Sequence, residues 1–435
     1  MPAWILEITV IDGPFPFVVW GLTLACALAL LIRRPTSLWV RRALLGILIG
    51  ATAGLVSVLL ANVTNAFGGR LPGAVAVWAG LCLAMLGLAV VSLWASAVWR
   101  KVVAGALVVL SLLSATLGIN AAFGIDSTIG AMLGISTVAP IAGLPEQTSP
   151  DATPTGPLYA SWTPPADMPA TGTVGLLAGE KAIPSTAGFT PRDASIYLPP
   201  AALVKNAPAL PFVVMMMGQP GNPDPTTIAA VLDEVAASNR GLAPIVIVAD
   251  QLGQPDHDPA CADSSTFGGV STYVNHDIVA YAKSTLNIIQ DPAFWTIAGY
   301  SNGGACAFTW GAQYPATWGN VISVSGDEFP GAEIQGATLA DVFHGDQAAY
   351  DASMPAVWLQ KNSGQFTGHV AVFTVGGDDQ GFLPGARRNA TLAENAGFAT
   401  TYHVIPGAGH VADALPKGLK KAFEVLYPRL GLASP

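Results

Sequence analysis

Four long stretches of the chain carry no charged side chain: Phe15–Ile32, Ala43–Val63, Ala74–Trp99 and Val102–Phe123. Their apolar residues run on without helical or strand periodicity, as expected of segments surrounded by lipid. A helix needs about 20 such residues to cross a bilayer core, so the pattern predicts four membrane-spanning helices within residues 1–135. A short apolar piece, Ile129–Leu144, follows and is expected to lie along the membrane surface. A Pro-, Thr- and Ala-rich segment from Pro145 to about Ala170 then reads as an extended linker, so that 136–171 is connecting chain. From Gly172 the pattern changes. Ala194–Leu198, Phe212–Met217, Ile245–Ala249, Trp295–Ala298, Val321–Val324, Val370–Val375 and Thr400–Val404 read as strands, and Ile278–Ile289 has helical spacing. Continuous apolar strands of this kind are buried on both faces. Residues 172–435 are therefore expected to form an α/β domain, a mostly parallel sheet with helices on both faces.

Charge sharpens this division. Only 11% of the 435 residues are charged, against a usual share of about 25%. Residues 1–135 hold seven Lys or Arg and three Asp or Glu, which leaves 12 basic and 25 acidic residues in the remainder. A domain with that balance repels nucleic acid and accepts cationic ligands. Arg33, Arg34, Arg41 and Arg42 lie between the first two runs and Arg100 and Lys101 between the last two, whereas the middle loop has only Arg70. By the positive-inside rule the first and third loops face the cytoplasm and both termini face outward. The segment before the first run carries Glu7 and Asp12 and no basic residue, so no cleavable signal peptide is expected.

The chemistry starts at Gly299-Tyr300-Ser301-Asn302-Gly303-Gly304. This G-x-S-x-G follows the strand Trp295–Ala298 and precedes a helix-compatible stretch, Ala305–Trp310. That is the context of a nucleophile elbow, in which small residues let a tight turn lift the serine hydroxyl above a helix N-terminus. The stretch Asp277–Gly304, with its apolar helix, Asp291-Pro292, strand and GYSNGG, resembles the esterase D / antigen 85 (mycolyltransferase-like) branch of the α/β-hydrolases. The strand Ala194–Leu198 and the stretch Phe212–Gly221 fit the same pattern, and the resemblance covers roughly residues 172–430. Two departures stand out: Asn302 occupies a position where many relatives have Met, and Met217-Gly218 replaces the usual His-Gly or Asp-Gly.

In this fold the order along the chain is serine, acid, histidine. Of six histidines, His410 alone lies late, in a loop just past a strand, and so is the expected general base; His403 lies inside that strand, and His257, His276, His344 and His369 read as solvated. The acid should follow the strand Val370–Val375, in Gly376-Gly377-Asp378-Asp379. The resemblance favours Asp379, with Asp378 as the alternative and Glu328 as a weaker one. An oxyanion hole needs two backbone N–H groups. One is expected from Asn302, and the resemblance implies Gln219 for the other.

Cys26 and Cys82 fall within the apolar runs and read as packing residues. Cys261 and Cys306 are the two cysteines of the exported part and can pair, which would tie the Cys261 loop beside the nucleophile. Asp256-His257-Asp258 has no partner at ligand spacing and reads as a solvated loop, so no metal is expected. No phosphate-binding Gly-Lys-Ser/Thr loop or dinucleotide fingerprint is present, so no cofactor is expected.

The expected activity is a serine carboxylic ester hydrolase on the extracytoplasmic face of a bacterial cell membrane, acting through an acyl-enzyme on an ester of a membrane lipid. Its sharpest form is hydrolysis of an aminoacylated phospholipid, whose ammonium group would meet Asp327 and Glu328 just past the strand Val321–Val324. The resemblance also implies acyl transfer between cell-envelope glycolipids. A non-catalytic binding domain on a hydrolase fold is the third reading.

Overall fold

A computed structural model describes the chain except residues 1, 12, 34–35, 65–70, 95, 124–125, 148–155, 411–412 and 435. Arg34 and Arg70 of the orientation argument therefore lie outside the described residues. The chain divides into two compact units, Met1–Thr137 and Val138–Pro435.

The first unit contains four long helices, α1 (Pro14–Leu31), α2 (Ser37–Val63), α3 (Gly73–Val91) and α4 (Val98–Phe123). Each is long and apolar enough to cross a membrane. Between α2 and α3 small residues bring the backbones together: a Cβ on Gly87 would sit 2.0 Å from the Gly46 carbonyl oxygen, and one on Gly50 2.0 Å from that of Leu83. Close approach through small residues is how helices associate where lipid offers no hydrophobic gain. Polar side chains satisfy one another inside the bundle, with the Thr23 and Ser114 hydroxyls 2.7 Å apart. The third apolar run extends to Trp99 in sequence, but the helix stops at Val91. The Ser92 hydroxyl folds back onto the Leu88 carbonyl, 2.7 Å away, and Trp99, Arg100 and Lys101 belong to the first turn of α4. Arg100 reaches from there to the Leu30 and Ile32 carbonyls at the end of α1, at 3.2 and 3.0 Å, where a cation offsets the helix dipole.

In the second unit an eight-stranded sheet carries the core. Its strands are β1 (Thr173–Leu177), β2 (Ala194–Leu198), β3 (Phe212–Met216), β4 (Ile245–Ala249), β5 (Trp295–Tyr300), β6 (Asn320–Val324), β7 (Val370–Gly376) and β8 (Ala399–Ile405). The order is β1-β2-β4-β3-β5-β6-β7-β8. β2 runs antiparallel to β1 and β4, and all other pairings are parallel. Every residue of β2, β3, β4, β5 and β6 is buried, because helices cover the sheet: α5 (Thr226–Ser238), α6 (Ile278–Thr285), α7 (Asn302–Gln313), α8 (Leu383–Ala396) and α9 (Ala414–Arg429). This is the α/β-hydrolase fold, preceded by an all-helical apolar unit.

The connecting chain differs from its sequence reading. Ile129–Leu144 does not stay together along a surface. The Ile141 N–H donates to Leu176 and the Leu176 N–H to Ala139, both at 2.9 Å, so the chain runs beside β1 as an added edge and buries Ile141 in the sheet's core. Trp162, read as linker, donates its indole N–H to the Arg240 carbonyl at 3.0 Å. Buried apolar side chains such as Ile141 and Leu158 hold these stretches where composition alone reads as extended.

Cys261 and Cys306 are joined in a disulfide whose Cα atoms lie 5.2 Å apart, and Cys26 and Cys82 are free. Unfolded without reductant, the protein should expose two alkylatable thiols by mass spectrometry, and four would contradict the bridge. Gly87→Val should lower the melting temperature of the detergent-solubilised protein, by a free energy of about 1–3 kcal/mol for overpacking. Gly105→Val, where nothing lies within 4 Å of an added Cβ, should leave it unchanged.

Candidate active site

Ser301 sits between β5 and α7 with φ 54° and ψ −122°, a backbone conformation that costs a non-glycine residue about 1–3 kcal/mol. Its surroundings impose it. A Cβ on Gly299 would lie 1.9 Å from the Gly303 carbonyl oxygen, and one on Gly303 would lie 2.5 Å from that of Met216. The strand and helix can meet this closely only because both positions lack side chains. The Ser301 N–H is fixed on the Val324 carbonyl of the next strand at 3.0 Å.

The hydroxyl of Ser301 lies 2.9 Å from Nε2 of His410. Nδ1 of His410 lies 2.7 Å from an oxygen of Asp379. The acid turn and the histidine loop come together because Gly376 has no side chain, as a Cβ there would be 2.2 Å from the Gly409 carbonyl oxygen. Asp378, the sequence alternative, is exposed and uses its N–H on the Ala408 carbonyl at 2.9 Å. The imidazole of His410 is also stacked between two rings, Phe382 at 3.9 Å and Tyr300 at 5.3 Å. The Tyr300 hydroxyl donates to the His410 carbonyl at 2.7 Å, and burial raises its pKa, so it stays a donor. Tyr300 lies within the serine motif, whereas Phe382 carries no local signal in the sequence.

The strand β3 delivers its following loop to Ser301. Gly218 packs so closely that an added Cβ would be 3.2 Å from Cβ of Ser301. Gln219 follows, its side chain donating to the Asp256 carbonyl at 3.0 Å. Among the described residues no acceptor meets the N–H of Gln219 or of Asn302.

The carboxylates rearrange the sequence reading. Glu328 forms a two-pronged ion pair with Arg388 of α8, so a residue 60 positions further on, invisible in the local pattern, occupies it. Asp327 is buried, at 8% exposure. Burial, together with the charges of Glu333, Asp258 and Asp379, raises its carboxyl well above the usual range. Glu333 is raised chiefly by burial, against the opposing effect of His410. Asp258 is raised by burial although it accepts from Asn302 Nδ2 at 2.9 Å. The Asp256-His257-Asp258 loop therefore differs from its solvated reading: Asp256 and His257 are exposed, but Asp258 turns in against Asn302. Among the described residues no Lys or Arg pairs with Asp258, Asp327 or Glu333. Nor do three His, Cys, Asp or Glu side chains among them converge as a metal site would require. Of the other histidines, His369 is half-buried, its Nε2 2.9 Å from the Pro315 carbonyl, rather than solvated.

The chain is similar to several known proteins. An uncharacterized protein of Corynebacterium glutamicum is 34% identical over 256 residues, a match that spans 57% of this chain and about 60% of that relative's length. Among solved structures, an S-formylglutathione hydrolase from Agrobacterium tumefaciens is 17% identical with a TM-score of 0.48, over 61% of this chain and 98% of the other. The fluorophosphonate-binding serine hydrolase F of Staphylococcus aureus is 14% identical with a TM-score of 0.46, over 59% and 98%. The Esterase family matches residues 185–414, more than half of the chain, and the chain belongs to that family.

Proposed function

We propose that this protein is a membrane-anchored serine esterase in which Ser301, His410 and Asp379 form the catalytic triad. The observation that carries this reading is the unbroken hydrogen-bonded series from Ser301 through His410 to Asp379. A serine hydroxyl becomes a useful nucleophile when a base takes its proton. Ser301 attacks the ester carbonyl as His410 accepts that proton, and buried Asp379 stabilises the imidazolium. The N–H groups of Asn302 and Gln219 hold the developing oxyanion. His410 then protonates the leaving alcohol, and water releases the acyl group. A complete series of this kind speaks against a purely binding role.

The substrate we propose is an ester of a membrane lipid, an aminoacylated phospholipid in the sharpest version. Asp327, Glu333 and Asp258, with which no Lys or Arg among the described residues pairs, support a preference for a cation beside the scissile bond; Glu328 takes no part in this because Arg388 neutralises it. An ammonium held there would orient the carbonyl over Ser301 and lower the barrier by positioning. The basic residues Arg33, Arg41, Arg42, Arg100 and Lys101 around the helix ends support a catalytic unit on the extracytoplasmic side.

Asp379→Asn should lower turnover by a factor on the order of 10⁴ with the fold intact by circular dichroism, and Asp378→Asn should cost far less; the opposite ranking moves the role to Asp378. Alanyl- or lysyl-phosphatidylglycerol should be cleaved with a kcat/KM at least about tenfold above that of its N-acetylated analogue, since a charge-assisted hydrogen bond contributes about 1.5–3 kcal/mol. The raised carboxyls gain charge only above the usual acidic range, so this preference should grow as pH rises beyond that range. Equal cleavage leaves a general lipid esterase, and acyl movement between glycolipids without hydrolysis establishes the antigen 85-like transferase instead. Protease added to spheroplasts should release a fragment from about residue 145 onward, and full protection would reverse the orientation.

A further inference from the structure

The two proposed oxyanion donors lie on different segments, and one side chain is bonded to both segments. Gln251 follows β4 and is buried at 3% exposure. Its Nε2 donates to the Met217 carbonyl, at the root of the Gln219 loop, at 2.7 Å. The same nitrogen donates to Oδ1 of Asn302 at 3.2 Å. A primary amide nitrogen has two hydrogens, and here each serves one half of the hole.

The receiving amide is itself fixed. Asn302 Nδ2 donates to Asp258 Oδ1 at 2.9 Å, which defines which end of the Asn302 amide faces Gln251. Asp258 also accepts from the Ala260 N–H at 2.9 Å, and its loop is fastened to α7 by the disulfide between Cys261 and Cys306. On the other side, Asp250 directly precedes Gln251 and is gripped by Arg192 at 2.6 Å. The same guanidinium donates to the Gly221 carbonyl at 2.9 Å and to Asn222 Oδ1 at 2.6 Å, two and three residues beyond Gln219. The relay Arg192–Asp250, Gln251, Asn302, Asp258 thus runs behind the nucleophile from one donor segment to the other.

We propose that Gln251 is a positioning residue for catalysis: its two hydrogen bonds set the separation between the Gln219 and Asn302 N–H groups, and the Asn302 side chain is the receiver that makes this possible. This assigns a use to the Asn302 side chain, which a thioether at the same position would not serve, since it offers no comparable acceptor. It rests on the reading of Ser301 as nucleophile. Preorganised donors matter most when negative charge develops, so loosening them weakens transition-state binding more than substrate binding.

The test uses full-length protein in detergent with p-nitrophenyl acetate as substrate and an alkylboronic acid as a mimic of the tetrahedral state. Gln251→Met removes both donors at similar volume. It should lower kcat by roughly 10- to 100-fold, consistent with misplacing catalytic groups by a fraction of an ångström, while KM changes less than about threefold. Boronate affinity should fall in parallel with kcat/KM. Asn302→Met, which removes the receiver together with its bond to Asp258 but leaves Gln251 on the Met217 carbonyl, should act in the same direction. Wild-type kcat and boronate affinity in Gln251→Met, or a rise in KM alone, overturns the proposal. Should Gln251→Met fail to fold, Asn302→Met decides it, with wild-type kcat there refuting the relay. Ser301→Ala separates the two readings: retained activity in that variant removes the nucleophile itself, whereas an inactive Ser301→Ala beside an unaffected Gln251→Met removes only the relay.

Discussion

Everything in the catalytic unit converges on holding Ser301 in a backbone conformation that its side chain disfavours. The strain is local, but the restraint is not. β5 is flanked on both sides by parallel strands, the Ser301 N–H is anchored on β6, and α7 is stitched to a distant loop by a disulfide. Because the serine turn cannot relax without disturbing the centre of the sheet, the hydroxyl stays aimed at His410. Flexible placement would leave the same residues present and the chemistry slow.

A second constraint is charge without compensation. Buried carboxylates are normally paired or neutralised, as Asp250 is by Arg192. Among the described residues no Lys or Arg does this for Asp327, or for the half-buried Asp258 and Glu333. Burial raises the pKa of all three, and neighbouring negative charge adds to the rise at Asp327 and Glu333.

How much of this was legible follows from the range of each interaction. The strands, the elbow and His410 are written in short windows, because burial on both faces and a tight turn each dictate a few consecutive residues. That Asp379 and not Asp378 meets His410 is a matter of which side chain in one turn faces inward, and only the turn's closure against Gly409 displays it. Glu333, Phe382 and Gln251 reach the site from loops whose course depends on the whole sheet, and nothing adjacent to them in sequence marks them out. Asp327 and Glu328, neighbours in the chain, have opposite fates because Arg388 is brought to only one of them. The apolar helices were equally plain in outline, yet the third ends at Val91 within an apolar run that continues to Trp99.

The strip of chain at Ala139–Ile141 beside β1 has a bearing on how the catalytic unit can be isolated. An edge strand presents a row of unpaired amides that invites another chain to add itself. Here the strip occupies part of that row and seals Ile141 over Gly175, where even a methyl group would be 2.7 Å from it. A soluble fragment begun in the Pro-rich stretch after Leu144 would therefore leave the sheet with an open flank and an apolar slot, inviting self-association. A fragment begun a few residues earlier, before Val138, keeps its own cover.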